Sequence, residues 1–226
     1  MQSTGIRVIF ESYKLLLDGL GNTLMIAIVS LFISFFSGFI FGIFRMSKNR
    51  IIKCLTDIYL EAFRIIPLMV WLFSFFFFIP RILNINISGE FASILVFTMW
   101  GTAEMGDIVR GALESLPKTQ LESLPKTQLE SGLSVGLSKI QLFIYIQFPQ
   151  AIRRIIPAAI SLATRMIKTT SLVVLIGVVD VIQRGQQIIE RTKESFWIYS
   201  FLFILFFIIC YPLSLLSKKL ETKWES

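Results

Sequence analysis

The chain contains no histidine, two cysteines among 226 residues, and 15 acidic residues against 22 basic ones. Without histidine there is no imidazole metal site and no imidazole proton relay. Cys54 sits in a basic stretch and Cys210 inside an apolar run, so neither belongs to an oxidised framework. No G-x4-G-K-[ST] sequence is present, which removes the phosphate cradle with which a chain would use ATP itself. No nucleophile–base pairing emerges, and there is no candidate catalytic residue, metal site or cofactor motif. This composition does not describe an enzyme.

What is present is apolar. Hydrophobic residues make up 54% of the chain, 22 of them Phe, and the mean hydropathy is +0.72, too apolar for a water-facing surface. Gly19 to Phe44 runs 26 residues without a charge and Ser195 to Ser217 another 23, each longer than the roughly 20 needed to cross a bilayer as helix. Three further runs carry charges, as helices facing a protein interior do. Ile65 to Pro80 extends back through Glu61 and Arg64. Phe91 to Ala103 runs on into Glu104 and Asp107, and Ile155 to Val179 contains Arg165 and Lys168. The expectation is an all-α integral membrane protein of about five spans, with residues 19–217 as the transmembrane domain.

Lys and Arg near span ends are retained in the cytoplasm. They concentrate after the first span (Arg45, Lys48, Arg50, Lys53), between the third and fourth (residues 113–153), and in the tail, 218–226. The N-terminus is therefore expected outside and the C-terminus inside. The net charge of +7 is accounted for by these loops meeting anionic lipid, so nucleic acid need not be invoked. The first span is too long for a signal-peptide core and is expected to remain as an anchor. Residues 1–18 mix apolar and charged positions and are expected to form an amphipathic helix along the outer membrane face.

Within the first span Ser30, Ser34, Gly38 and Gly42 form a small-residue stripe, suited to close helix packing or to walling a substrate path. Glu61 and Arg64 lie three apart, placed to pair with each other or with a neighbouring helix, as a structural ion pair or a gate. Pro67 is expected to bend that helix. Glu104, Asp107 and Arg110 share one face, as a salt-bridged helix end or a functional cluster. In the fourth span Arg165, Lys168, Thr170 and Ser171 form a polar group costly in lipid, the best intrinsic candidate for a lining surface. Asp180 follows as either a substrate-path residue or the N-cap of the next helix.

Glu130 to Pro149, ESGLSVGLSKIQLFIYIQFP, has the pattern E-x-G-x3-G-x9-I-x2-P, carried by Glu130, Gly132, Gly136, Ile146 and Pro149. With GLGNTL (Gly19–Leu24), EAFRIIPL (Glu61–Leu68), DIVRGAL (Asp107–Leu113), FPQAIRRIIP (Phe148–Pro157), the run Ile167–Ile188 and YPLSLLSKKLE (Tyr211–Glu221), it resembles the permease subunits of polar amino-acid ABC importers of type I. Two departures stand out: Ile65 and Ile66 replace the small residues before Pro67, and Glu104 stands where the family has an aromatic. The resemblance implies a cytoplasmic coupling helix at the Glu130 loop that docks on a separate ATPase. It further implies two ABC ATPase subunits, a second permease copy or homologue, an extracytoplasmic solute-binding protein, a polar amino-acid substrate and the bacterial inner membrane. The competing reading is a self-sufficient ion-coupled carrier or channel using Glu104, Asp107 and Asp180. Carriers of that kind are usually built from more spans in repeated halves.

Leu113 to Gln120 reads LESLPKTQ, Leu121 to Gln128 repeats it, and Leu129-Glu130-Ser131 begins a third copy. One exact duplication reads as a tandem slip, since a repeat architecture needs several units sharing a core. Pro117 and Pro125 oppose continuous helix, so the extra unit is expected to loop out and leave the docking pattern in register.

Overall fold

The computed structural model describes residues 5–115, 138, 141, 145 and 148–225. It is helical, with no strand among the described residues. We label the helices α1 (Arg7–Arg45), α2 (Arg50–Ile65), α3 (Leu68–Leu83), α4 (Gly89–Ser115), α5 (Phe148–Ile176), α6 (Val181–Thr192) and α7 (Ser195–Glu225). By length and composition α1, α5 and α7 can each cross a membrane, and the bent pair α2 and α3 makes a fourth span if counted as one. The remaining expected span is α4, whose 27 residues rise about 40 Å but end in Glu104, Asp107, Arg110 and Glu114.

Helix α1 extends about 58 Å over 39 residues and does not break at Asp18. Where a separate segment is expected over residues 1–18, Arg7 to Asp18 continue in the same helix into the first span. Gly19 serves there as a contact point and not as a breaker, because a Cβ on it would lie 2.7 Å from the Asp180 carbonyl oxygen. One stripe, Val8, Ser12, Leu16, Gly19, Thr23, Ile26, Ser30, Ser34, Gly38 and Gly42, is buried along the whole helix, while Phe32, Phe36, Ile40 and Phe44 are exposed. The buried face is thus the smaller and more polar one, as suits a helix whose other face meets lipid.

That stripe packs on α4. Ser34 Oγ donates to the Thr98 carbonyl at 3.1 Å, and Ser37 and Thr102 share a hydroxyl bond of 2.6 Å. Farther along, Gly38 and Gly42 meet Gly106 backbone to backbone: a Cβ on Gly42 would lie 2.8 Å from the Gly106 oxygen. Of the two readings open for the stripe, helix packing is the one that the contacts support.

Pro67 does more than bend the second span. Ile66 is extended (φ −80°, ψ 126°), as residues before proline are, and α2 and α3 meet at 102°. The chain resumes at once, with Val70 N–H donating to the Pro67 oxygen at 2.9 Å. The Phe run then winds as a π-helix over Ser74–Phe78, leaving Phe75 and Phe76 against the core and Phe77 and Phe78 exposed. The central core joins Ile26 of α1, Leu72 of α3, Val96 and Phe97 of α4, and Met166 of α5.

The α1–α4 contact yields a direct test. Gly42→Val is expected to destabilise the protein by about 1–3 kcal/mol through overpacking. Gly111→Ala, with nothing within 4 Å of the added methyl, should leave the melting temperature in detergent unchanged or slightly raised. Equal melting temperatures for the two variants would contradict the contact.

Candidate functional site

The close approach of α1 to α4 delivers Arg45, three residues after Gly42, to Asp107, the residue after Gly106. Arg45 is 5% exposed and pairs with Asp107, and its other amino group reaches Asp57 of α2 at 3.1 Å. Asp107 also takes Arg64 of α2 at 2.6 Å and Arg110 at 3.6 Å. One turn earlier on α4, Glu104 accepts from Arg165 of α5 at 2.8 Å and lies 3.8 Å from Arg64. Two carboxylates on one face of α4 therefore tie α1, α2 and α5 to it, and Arg110 continues the row to Glu114 at 3.6 Å.

The sequence had brought Arg64, Glu104, Asp107 and Arg110 forward, and the fold joins all four. Glu61 makes none of these ion pairs; Arg64 turns to α4 and not to its own helix. Arg45 and Asp57 were missed as site residues. The only signal for Arg45 was its place as the first charge after a long neutral run.

The ion pairs differ in how far they are withdrawn from water. Arg45 is buried, so its attraction to Asp107 is little screened, and losing it would leave the guanidinium to the more exposed Asp57 alone. Arg64 and Arg165 are 43% and 47% exposed on the chain's own surface, so their pairs are less enclosed by protein and, where water reaches them, exchange at small cost. The cluster has no nucleophile in it. It has one fixed pair and two exchangeable ones, which suits helices that move relative to each other.

The polar residues of α5 separate on inspection. Thr170 is fully buried and donates to the Ile167 oxygen at 2.7 Å, and Ser171 donates to the Lys168 oxygen at 2.8 Å. Both satisfy carbonyls where the α-helix tightens to a 3₁₀ turn over Thr170–Ile176, which ends at Gly177 with φ 78°. Lys168 is exposed and lines a cavity of about 570 Å³ with Thr164, Tyr199, Phe203 and Tyr211. Asp180 is fully buried and caps α6, accepting from Gln183 N–H at 2.7 Å. Burial pushes its carboxyl up to about 6, against the opposing pull of the Gln183 amide. Of the two readings open for Asp180, the cap is the one with geometry behind it. The segment around it is fastened to α1: Asn22 Nδ2 donates to the Val179 oxygen at 2.9 Å, Val181 N–H to Thr23 Oγ1 at 3.1 Å, and Arg184 pairs with Asp18 at 2.6 Å. Pro149 is exposed in the first turn of α5, while Glu130, Gly132, Gly136, Ile146 and the LESLPKTQ repeat lie outside the described residues apart from Leu113 to Ser115, which close α4.

Comparison with known proteins follows the same outline. The sequence model of the family described as "Binding-protein-dependent transport system inner membrane component" matches residues 32–225. The "Probable glutamine ABC transporter permease protein GlnP" of Bacillus subtilis (strain 168) is 32% identical over 216 residues, covering 94% of this chain and 95% of the relative. The "Glutamine transport system permease protein GlnP" of Escherichia coli (strain K12) is 28% identical, covering 96% of each. Among solved structures, an amino acid ABC transporter crystallised with histidines aligns at TM-score 0.85 and 23% identity, covering 98% of this chain and 99% of that one. The inward-facing MetNI methionine ABC transporter aligns at TM-score 0.72 and 20% identity, covering 95% of this chain and 98% of its own. These two likenesses establish the fold.

Two outcomes follow from the site. Asp107→Asn leaves the buried Arg45 with only the more exposed Asp57 as charge partner and should cost about 1.5–3 kcal/mol, against at most about 1 kcal/mol for Arg64→Gln at the exposed side. Detergent unfolding of both variants measures the ratio. At Asp180, Asn keeps the cap and removes a charge that burial disfavours. Asp180→Asn should therefore match or exceed the parent at pH 7, its advantage growing as pH rises from the ordinary 3.8 through about 6. Asp180→Ala should lose about 0.5–2 kcal/mol.

Proposed function

The chain belongs to the family of binding-protein-dependent transport system inner membrane components, and from that membership we propose that it is the permease of an importer for a polar amino acid of the glutamine or glutamate kind. As such a permease it is a multi-pass membrane protein and a transport subunit of an ABC importer, and the family works with ATPase and substrate-binding partners. The observation that carries the substrate class is the 32% identity, over 94% of this chain, with a probable glutamine permease.

We assign it a partnership of two ATPase subunits, a second permease copy or homologue, and an extracytoplasmic binding protein that selects the substrate. The loop charges favour an outside N-terminus and a cytoplasmic C-terminus. In that orientation the Arg45–Asp107 cluster lies at the cytoplasmic end, and the coupling pattern lies in the sequence that joins α4 to α5. ATP-driven closure of the ATPases pulls on that segment, and the exchangeable pairs of Arg64 and Arg165 let α2 and α5 shift on α4 while Arg45 holds α1 in place. Lys168 of α5 lines the cavity of about 570 Å³, and its ammonium suits a substrate carboxylate. The carboxylates of an ion-coupled carrier would have to be free to load protons or ions. Glu104 and Asp107 are each shared among arginines, and Asp180 is a buried cap, which weighs against that alternative.

Reconstitution tests the reading. The complex in vesicles should accumulate glutamine or glutamate only with ATP and binding protein. Uptake driven by an ion gradient without ATP would overturn it. Deleting Leu121 to Gln128 should raise substrate-stimulated ATP hydrolysis or leave it unchanged, because it restores one LESLPKTQ unit ahead of Glu130. Loss of transport would make the second copy part of the docking surface.

A further inference from the structure

A second cavity, of about 670 Å³, opens between the end of α4, the first half of α5 and the end of α7. Its walls include Ser115, Arg153, Arg154, Arg165, Glu221 and Trp224. Arg165 at the inner end is already engaged by Glu104. Arg154 directs one amino group to the Ser115 carbonyl at 2.7 Å and its hydroxyl at 2.6 Å, closing the end of α4. Arg153 is exposed and has no ion-pair or hydrogen-bond partner among the described residues. The mouth thus holds two guanidinium groups against one carboxylate, Glu221.

The depth of this mouth follows from the helices that form it. Along α7 the charge-free run ends at Ser217, and Lys218, Lys219, Glu221, Lys223 and Trp224 follow within two turns. On α5, Arg153 and Arg154 stand just before the apolar run that begins at Ile155. Both helices pass from hydrocarbon to charge at the cavity, and a tryptophan marks the same level, as tryptophans do at bilayer interfaces. A guanidinium fork at that depth matches a phosphodiester, which it can hold by two parallel N–H bonds. Basic pockets between membrane helices are suited to anionic headgroups. The volume lies within the range of small-ligand pockets and accommodates a phosphoglycerol group.

We infer that this cavity is a binding site for the phosphate of an anionic phospholipid, with Arg153 as its principal ligand, Arg154 as its second and Trp224 as its wall. The site is separate from the transported substrate and does not depend on which amino acid is carried. A lipid held there bridges α5 and α7 beside the Arg165–Glu104 pair, so membrane composition would bear on the same helices that the charge cluster ties.

Trp224 supplies the readout. The full chain is placed in nanodiscs of phosphatidylcholine with increasing brominated phosphatidylglycerol, and the fluorescence of Trp224→Phe is subtracted to isolate one indole. Quenching should saturate at a low mole fraction of brominated phosphatidylglycerol. Unlabelled phosphatidylglycerol should reverse it, and inorganic phosphate and glycerol phosphate should not. Arg153→Gln should raise the half-quenching mole fraction roughly tenfold, as expected for one lost charge-assisted contact, and Arg153→Lys by less. Arg153 bonds to nothing among the described residues, so helicity and melting temperature should be unchanged in both variants. Equal quenching by brominated phosphatidylcholine, or no effect of Arg153→Gln, would overturn the proposal. Competition by inorganic phosphate would also overturn it, by making this a soluble-anion site.

Discussion

The approach of α1 to α4 at Gly38, Gly42, Gly101 and Gly106 is the constraint on which the rest of the architecture depends. In lipid there is no hydrophobic gain in bringing two apolar helices together, so association rests on close van der Waals contact and on polar groups satisfied between helices. Glycine supplies the first and the Ser34–Thr98 and Ser37–Thr102 bonds the second. The same register carries Arg45 to Asp107. A change at any of these glycines would therefore act on the charge cluster as well as on packing.

The charge cluster makes sense as a consequence of that geometry. Asp107 alone fastens α1 and α2 to α4 through Arg45 and Arg64; placing Glu104 one turn away extends the tie to α5. Low dielectric makes such pairs costly to break when buried and inexpensive to exchange when they reach water. The gradient from 5% exposure at Arg45 to nearly half at Arg165 divides a fixed frame from parts that can shift. That division is what the proposed movement of α2 and α5 on α4 rests on.

The end of the bundle where α6 lies follows a different logic. There α6 is held on α1 by neutral hydrogen bonds from Asn22 and to Thr23, by the Asp18–Arg184 pair, and by apolar packing of Val8, Leu16, Val181, Ile188 and Ile198. Asp180 belongs to this fastening. Its carboxylate ends a helix that has to start abruptly after the left-handed turn at Gly177.

The long neutral runs by themselves determined that the protein is helical and lives in a membrane, because hydropathy over some twenty residues needs no knowledge of neighbours. Motif spacing likewise identified the family, and the pairing of charges at three-residue intervals marked Glu104, Asp107 and Arg110 as one face. Tertiary structure alone decided partners. Glu61 and Arg64 satisfied the same spacing rule, yet Arg64 crosses to α4, since two partly buried carboxylates there, Glu104 and Asp107, outweigh one exposed carboxylate on its own helix. Pro67 was visible, but the 102° break was not, because the angle is set by what α3 packs against. Thr170, Ser171 and Asp180 read as polar residues in a costly place. Only the fold shows that Thr170 and Asp180 are buried, and that the three side chains satisfy carbonyls and an amide of their own backbone, a distinction that residue type cannot carry.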